Sequence, residues 1–84
     1  MDNPTDLKQI YWRSRRGMLE LELKLVPFVR DQFQTLSAEE QAAYERMLAE
    51  EDWQLFDWLQ GKSIPADDLT RGLIEKIAAH QGTL

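Results

Sequence analysis

The sequence predicts an all-α fold, a compact single-domain bundle of about five short helices spanning residues 1–84. Three observations lead there. Ser37-Ala38-Glu39-Glu40 is a capping box, a pattern that opens helices. Apolar residues recur at three- and four-residue spacing in stretches separated by glycine, proline and capping residues. The stretch with strand-like alternation finds no convincing second strand to pair with, and a lone strand leaves its backbone groups unsatisfied.

Taken in order, Asn3-Pro4-Thr5 opens the first helix, with Asn3 as cap and Pro4 at the first helical position, or with Thr5 as the cap. Leu7, Ile10, Tyr11 and Ser14 then share one face, and Gly17 is read as the terminator. Arg13, Arg15 and Arg16 fall in the expected last turn, where cations suit the negative end of the helix dipole. The run Leu19-Glu20-Leu21-Glu22-Leu23-Lys24-Leu25 alternates, but leucine and glutamate are good helix formers. It reads as a second helix in which Met18, Leu21, Leu25, Phe28, Val29 and Phe33 form a broad apolar face. Glu20 and Lys24 are placed to pair at i,i+4, and Pro27 is expected to kink the helix near Leu23, whose carbonyl loses its partner.

The capping box starts a third helix buried through Ala43, Tyr44, Met47 and Leu48, with Glu39, Glu40, Glu45, Glu50 and Glu51 on its wet side. Asp52 is read as the cap of a fourth helix carrying Trp53, Leu55, Phe56, Trp58 and Leu59 and ended by Gly61. After Lys62-Ser63-Ile64-Pro65, a fifth helix aligns Leu69, Leu73, Ile74, Ile77 and Ala78, with Gly82 beyond it.

At 43% hydrophobic residues the 84-residue chain has material for one modest core. It has no cysteine, which removes disulfides, thiolate metal sites and thiol catalysis together. The longest apolar run, Leu25-Val26 continued past Pro27 by Phe28-Val29, is far short of the roughly 20 residues that span a bilayer. The N-terminus, Met1-Asp2-Asn3-Pro4, is unlike a secretory signal or an arginine-rich transit peptide, so the chain is expected to be soluble and cytoplasmic, without membrane insertion. The net charge of −5 is uneven: residues 1–16 carry +2 and residues 37–62 carry −5. Nucleic-acid binders gather lysine and arginine across a whole face, so no nucleic-acid partner is expected.

Little here suggests catalysis. His80 is the only histidine and has no second imidazole, serine or cysteine arranged beside it. Glu50-Glu51-Asp52 lacks the spaced ligands and glycine turn of a cation loop, so no metal is expected. Trp53 and Trp58 lie five apart, on different sides of a helix, and at least one belongs to the core. Trp12 sits one residue beyond the buried face, beside the arginines. The sharpest feature is the corner around Gly17, with Arg15 and Arg16 before it and Glu20 at the start of the next helix. Arginine forks and a carboxylate around a backbone patch without a side chain make a directional docking point; helix termination suffices for Gly17 itself but does not explain why Arg15 and Arg16 precede it and Glu20 follows, and from physics alone the two readings stand level.

Trp12, then Arg15-Arg16-Gly17-Met18-x-Glu20-x-Glu22, Pro27-Phe28, Leu36-Ser37-x-x-Glu40, Leu55-Phe56-Asp57-Trp58-Leu59 and Pro65-Ala66-Asp67 together resemble the succinate dehydrogenase flavinylation factors, small bacterial FAD assembly factors related to mitochondrial ones. The resemblance covers nearly the whole chain. It implies a five-helix protein, not an enzyme, that assists covalent attachment of FAD to the flavoprotein subunit of succinate dehydrogenase and of the related fumarate reductase. The histidine that becomes bonded to the flavin then belongs to the client. It also implies a client-binding surface at Arg16, Gly17 and Glu20, with Arg15, Met18 and Glu22 flanking and Trp12 nearby. No cofactor is expected to be held stably by this chain, FAD being handled in the client, and the unbound protein is expected to be a monomer. Family members often carry aspartate where Glu22 stands and a basic residue near Gln9; the first difference keeps the charge and the second removes a peripheral one.

Two readings of other classes remain at this stage. Arg13, Arg15 and Arg16 could meet the pyrophosphate of free FAD with Trp12 stacking on a ring, although the glycine-rich strand-to-helix turn of dinucleotide folds is missing. An antitoxin-like or regulatory interaction protein with a membrane partner is the other.

Overall fold

A computed structural model describes residues 7–83, so the expected caps at Asn3 and Thr5 lie outside the described residues. Among these residues there are five α-helices, one short 3-10 turn and no strand. The helices are α1 (Leu7–Arg13), α2 (Leu19–Gln32), α3 (Ala38–Met47), α4 (Asp52–Gln60) and α5 (Asp68–Ala79), and the 3-10 turn, Phe33–Thr35, follows α2 directly.

The alternating run is helical because it has core to cover rather than a strand to pair. Residues two apart on a helix point to nearly opposite sides, so the leucines divide. Leu21 and Leu25 are fully buried, whereas Leu19 and Leu23 are 61% and 46% exposed. α2 continues through Pro27 to Gln32, and its buried face is Leu21, Leu25, Val26, Pro27, Phe28 and Val29. Glu20 does not hold Lys24 as expected. The lysine crosses instead to the C-terminal end of α5 and donates to the carbonyls of Ala78 and His80 at 3.0 and 3.3 Å, where the helix has acceptors without partners.

The other side of the core comes from α3, α4 and α5. The capping box forms as expected, with the Glu40 amide donating to Ser37 Oγ at 3.1 Å and the Ser37 amide donating to Glu40 Oε1 at 3.0 Å. α4 departs from expectation at its start: Glu51 occupies the cap position without a side-chain bond, and Asp52 is the first helical residue. Gly61 ends α4 in the left-handed conformation at φ 77°, as read. α5 is capped by Asp67, whose carboxylate accepts from the Thr70 amide at 2.9 Å. Leu73, Ile74 and Ile77 are its buried residues, while Ala78, expected beside them, is exposed because it lies one position off that stripe.

Tyr44 stands at the centre, fully buried, with its ring 6.3 Å from Phe28 in a stacked arrangement and 5.5 Å from Phe33 in an edge arrangement. Its hydroxyl shares a 2.7 Å hydrogen bond with Ser14 Oγ, which also donates to the Ile10 carbonyl at 2.8 Å. A buried phenol needs such a partner. Burial pushes the Tyr44 phenol above its ordinary range. Trp58 is half-buried against this core and Trp53 is 61% exposed, so one of the two tryptophans packs.

The chain after α5 returns across α2. His80 sets its ring edge-on to Phe28 at 5.8 Å and its Nε2 lies 3.0 Å from Asp31 Oδ2, while Arg30 donates to the Thr83 carbonyl at 2.7 Å. The return passes close at Gly82, where a Cβ would stand 2.6 Å from His80 Nε2 and 2.7 Å from Asp31 Oδ2, so a larger residue would have to displace those side chains.

Two predictions follow from this packing. Gly72 lies inside α5 with nothing within 4 Å of where a Cβ would stand. Gly72→Ala should therefore stabilise the protein by about 0.5–1 kcal/mol, raising Tm by roughly 2–8 °C in a calorimetric scan; a fall in Tm would contradict the open space.

The second concerns acid. The Arg30 guanidinium, with His80 behind it, holds Asp31 down at about 2; the Lys76 ammonium and the Ser37 amide lower Glu40, and the Thr70 amide lowers Asp67. Carboxylates depressed in the folded state add stability above their ordinary values of 3.8 and 4.5 and lose it as pH falls through the folded ones. Thermal melts followed by circular dichroism should thus show Tm level from about pH 7 to 5 and falling steadily below about pH 4.

Candidate functional site

The corner between α1 and α2 is built from a helix end and a helix start that use different devices. α1 finishes in a tightened turn: the Ser14 amide donates to both Ile10 and Tyr11 carbonyls, and the Arg15 amide to Trp12. Helical residues therefore stop at Arg13, four before Gly17, and of the three arginines only Arg13 lies in the last turn. Gly17 is not the terminator of α1. It takes φ 89° immediately before Met18, the N-cap of α2.

Methionine has no side-chain acceptor for the free amides of a helix start, and Met18 makes no capping bond. Glu22 Oε2 instead reaches back past the cap to the Gly17 amide at 2.7 Å, which fixes the residue before the helix rather than the free amides of its first turn. Glu20 and Glu22 both lie in the first turn, where the positive end of the dipole favours carboxylates. Gly17 thus has a backbone reason to be glycine, since L-residues are disfavoured at this φ. No atom lies within 4 Å of the position a Cβ would take, so the site is also open to a visitor.

The two adjacent arginines face opposite ways. Arg16 turns inward, its side chain 16% exposed, and donates from Nε to Asp52 Oδ1 at 2.8 Å, from Nη1 to the Leu48 carbonyl at 2.7 Å and from Nη2 to the Glu50 carbonyl at 2.6 Å. One guanidinium thereby closes the end of α3, the connection after it and the start of α4. This is why Asp52 is not a cap: its carboxylate belongs to Arg16. Arg15 turns outward, its guanidinium carbon 5.5 Å from the centre of the Trp12 ring, and Trp12 is itself 61% exposed with Tyr11 edge-on at 6.4 Å. Arg13 reaches only a long 3.5 Å contact with the Glu45 carbonyl. The three arginines therefore do not converge on one anion.

Of the residues singled out in the sequence, Trp12, Arg15, Gly17 and Glu20 are exposed at the corner, Met18 packs partly on the core, and Arg16 and Glu22 are engaged within the chain. Glu20 has no hydrogen-bond or ion-pair partner among the described residues. Leu19 and Leu23, which flank it, were not singled out. The alternation itself carried the signal, because a helix cannot bury every second residue. A groove of about 220 Å³ lies beside the corner, lined by Tyr11, Arg15, Glu22, Val26 and Arg30. Among the described residues no group of three histidine, cysteine, aspartate or glutamate side chains could hold a metal ion, and no helix is long and apolar enough to cross a membrane.

With the geometry in view, the chain was compared with known proteins. Residues 8–81 match the family described as flavinator of succinate dehydrogenase. The chain is 43% identical over 77 residues to a Pseudomonas aeruginosa protein named FAD assembly factor SdhE, covering 92% of each. It is similar, too, to proteins of the same name from Coxiella burnetii, 36% identical over 92% of this chain and 94% of the other, and from Mannheimia succiniciproducens, 35% identical over 94% and 92%.

If Arg16 is the internal clamp described, Arg16→Gln should lower stability by about 1–3 kcal/mol, since three charge-assisted bonds go at once from a partly exposed site. Glu20→Ala, which removes no internal bond, should leave Tm nearly unchanged. Urea titrations of the two variants against wild type separate the roles, and equal midpoints for wild type and Arg16→Gln would refute the clamp.

Proposed function

This chain belongs to the flavinator of succinate dehydrogenase family, and on that premise we propose that it is an FAD assembly factor which docks through the Gly17 corner on the flavoprotein subunit of succinate dehydrogenase. The related flavoprotein of fumarate reductase is a second client. The observation that carries the reading is the division of labour at the corner. Arg16 and Glu22 are spent on holding its shape, while Gly17 offers bare backbone and Glu20 an unengaged carboxylate on rigid supports.

The helper donates no catalytic group in this reading. Its one imidazole, His80, is tied to Asp31 and Phe28 on the return across α2, away from Gly17 in the chain order and in its contacts. The groups joined in the covalent flavin link would be the client's own histidine and FAD held by the client, so this chain would supply position and no reacting atom. The assembly factor favours the domain arrangement in which those groups are aligned, and alignment alone is worth several orders of magnitude in rate. FAD stays with the client, and the factor works in the cytoplasm as a monomer between encounters.

The test is covalent flavin, read as in-gel fluorescence of the denatured flavoprotein from cells lacking this gene and complemented with variants. Wild type should restore the band. Glu20→Ala should restore little of it despite normal folding, and Gly17→Arg little as well, with an added cost of about 1–2 kcal/mol from a side chain at positive φ. Full flavinylation with either variant would defeat the corner as the docking point.

A further inference from the structure

Resting on the docking role just described, the structure assigns the two neighbouring arginines to different partners: we infer that Arg15, whose guanidinium lies over the Trp12 ring, is the arginine that meets the client, and that it meets a carboxylate side chain there. Arg16 is committed internally to Leu48, Glu50 and Asp52. Arg15 is exposed, its guanidinium carbon lies 5.5 Å from the centre of the Trp12 ring, and that guanidinium has no hydrogen-bond or ion-pair partner among the described residues.

A guanidinium attracted by an indole ring spends no N–H donor on that contact, so its donors stay free for the fork of a carboxylate. The ring contact also removes part of the rotamer freedom that a lone surface arginine loses on binding. Charge points the same way, since residues 1–16 are net +2 on a chain of net −5. An acidic segment is repelled by most of this protein and attracted at this end.

The neighbouring groove argues against a flavin nucleotide as the anion. At about 220 Å³ it is smaller than the roughly 300–1,000 Å³ typical of small-molecule sites. Its second arginine, Arg30, is already bonded to Asp31 and the Thr83 carbonyl. An incoming carboxylate therefore engages Arg15 at the lip, next to the open backbone of Gly17.

The experiment is calorimetric titration of the FAD-loaded flavoprotein subunit of succinate dehydrogenase with the full chain, as wild type, Arg15→Gln and Arg15→Lys, at two salt concentrations, with Tm recorded for each variant. Arg15→Gln should bind at least about tenfold more weakly, with a flatter salt dependence and an unchanged Tm, as loss of a charge-assisted interface bond requires. Arg15→Lys should fall between, keeping the charge and losing the fork. Wild type that binds while Arg15→Gln binds equally well would overturn this assignment and leave the docking role standing. Wild type that does not bind the flavoprotein would overturn both. Free FAD is titrated against the isolated protein in parallel, read by tryptophan fluorescence. An Arg15-dependent signal there would overturn the assignment by making the pyrophosphate the anion, and no signal supports the carboxylate.

Discussion

The guanidinium of Arg16 is the bond on which the shape of the corner depends. It fastens the turn between α1 and α2 to the carbonyls of Leu48 and Glu50 and to the carboxylate of Asp52, three acceptors that otherwise mark the loose junction of α3 and α4. Two short helices in a chain this small have little area with which to hold each other. A planar donor that reaches three acceptors in fixed directions supplies orientation that apolar packing alone does not.

Beneath it, the Ser14–Tyr44 hydroxyl pair performs the same task in the core. Tyr44 brings a large ring between Phe28 and Phe33 and a hydroxyl that must be bonded, and Ser14 at the end of α1 is the partner. The chain leaving α1 is thus tied at two successive levels, Ser14 to α3 inside and Arg16 to the α3–α4 junction nearer the surface. Gly17 follows directly after Arg16, so its left-handed backbone is presented beside a side chain held by three bonds. A docking point on rigid supports loses less entropy on binding than one on a mobile loop.

The outer face then consists of what this framework does not use. Arg15 over Trp12, the bare Gly17, Glu20, and the exposed Leu19 and Leu23 lie along one end of α1 and the first turns of α2. Charged groups around apolar ones is the composition of a specific, separable protein contact. It fits the transient contact with a client proposed above. The return of the chain across α2 through His80 and Thr83 occupies a different stretch of that helix, around Asp31 and Arg30.

Much of this was written in the residues themselves. Helix periodicity, the Ser37–Glu40 box, Gly61 as a terminator and the lack of a pairing strand determine an all-helical chain, because each depends on neighbours within four positions. The motif around Gly17, read together with the blocks downstream, identified the family and pointed to the corner. What tertiary structure decided are the partners chosen across long sequence separations. Lys24 prefers the end of α5 to Glu20, Asp52 is taken by Arg16 rather than capping α4, and Gly17 opens α2 rather than closing α1. Most of all, nothing in Arg15-Arg16 as letters says which one faces the core. Adjacent residues leave a turn in different directions, and only the placement of α3 and α4 puts acceptors in front of one and water in front of the other.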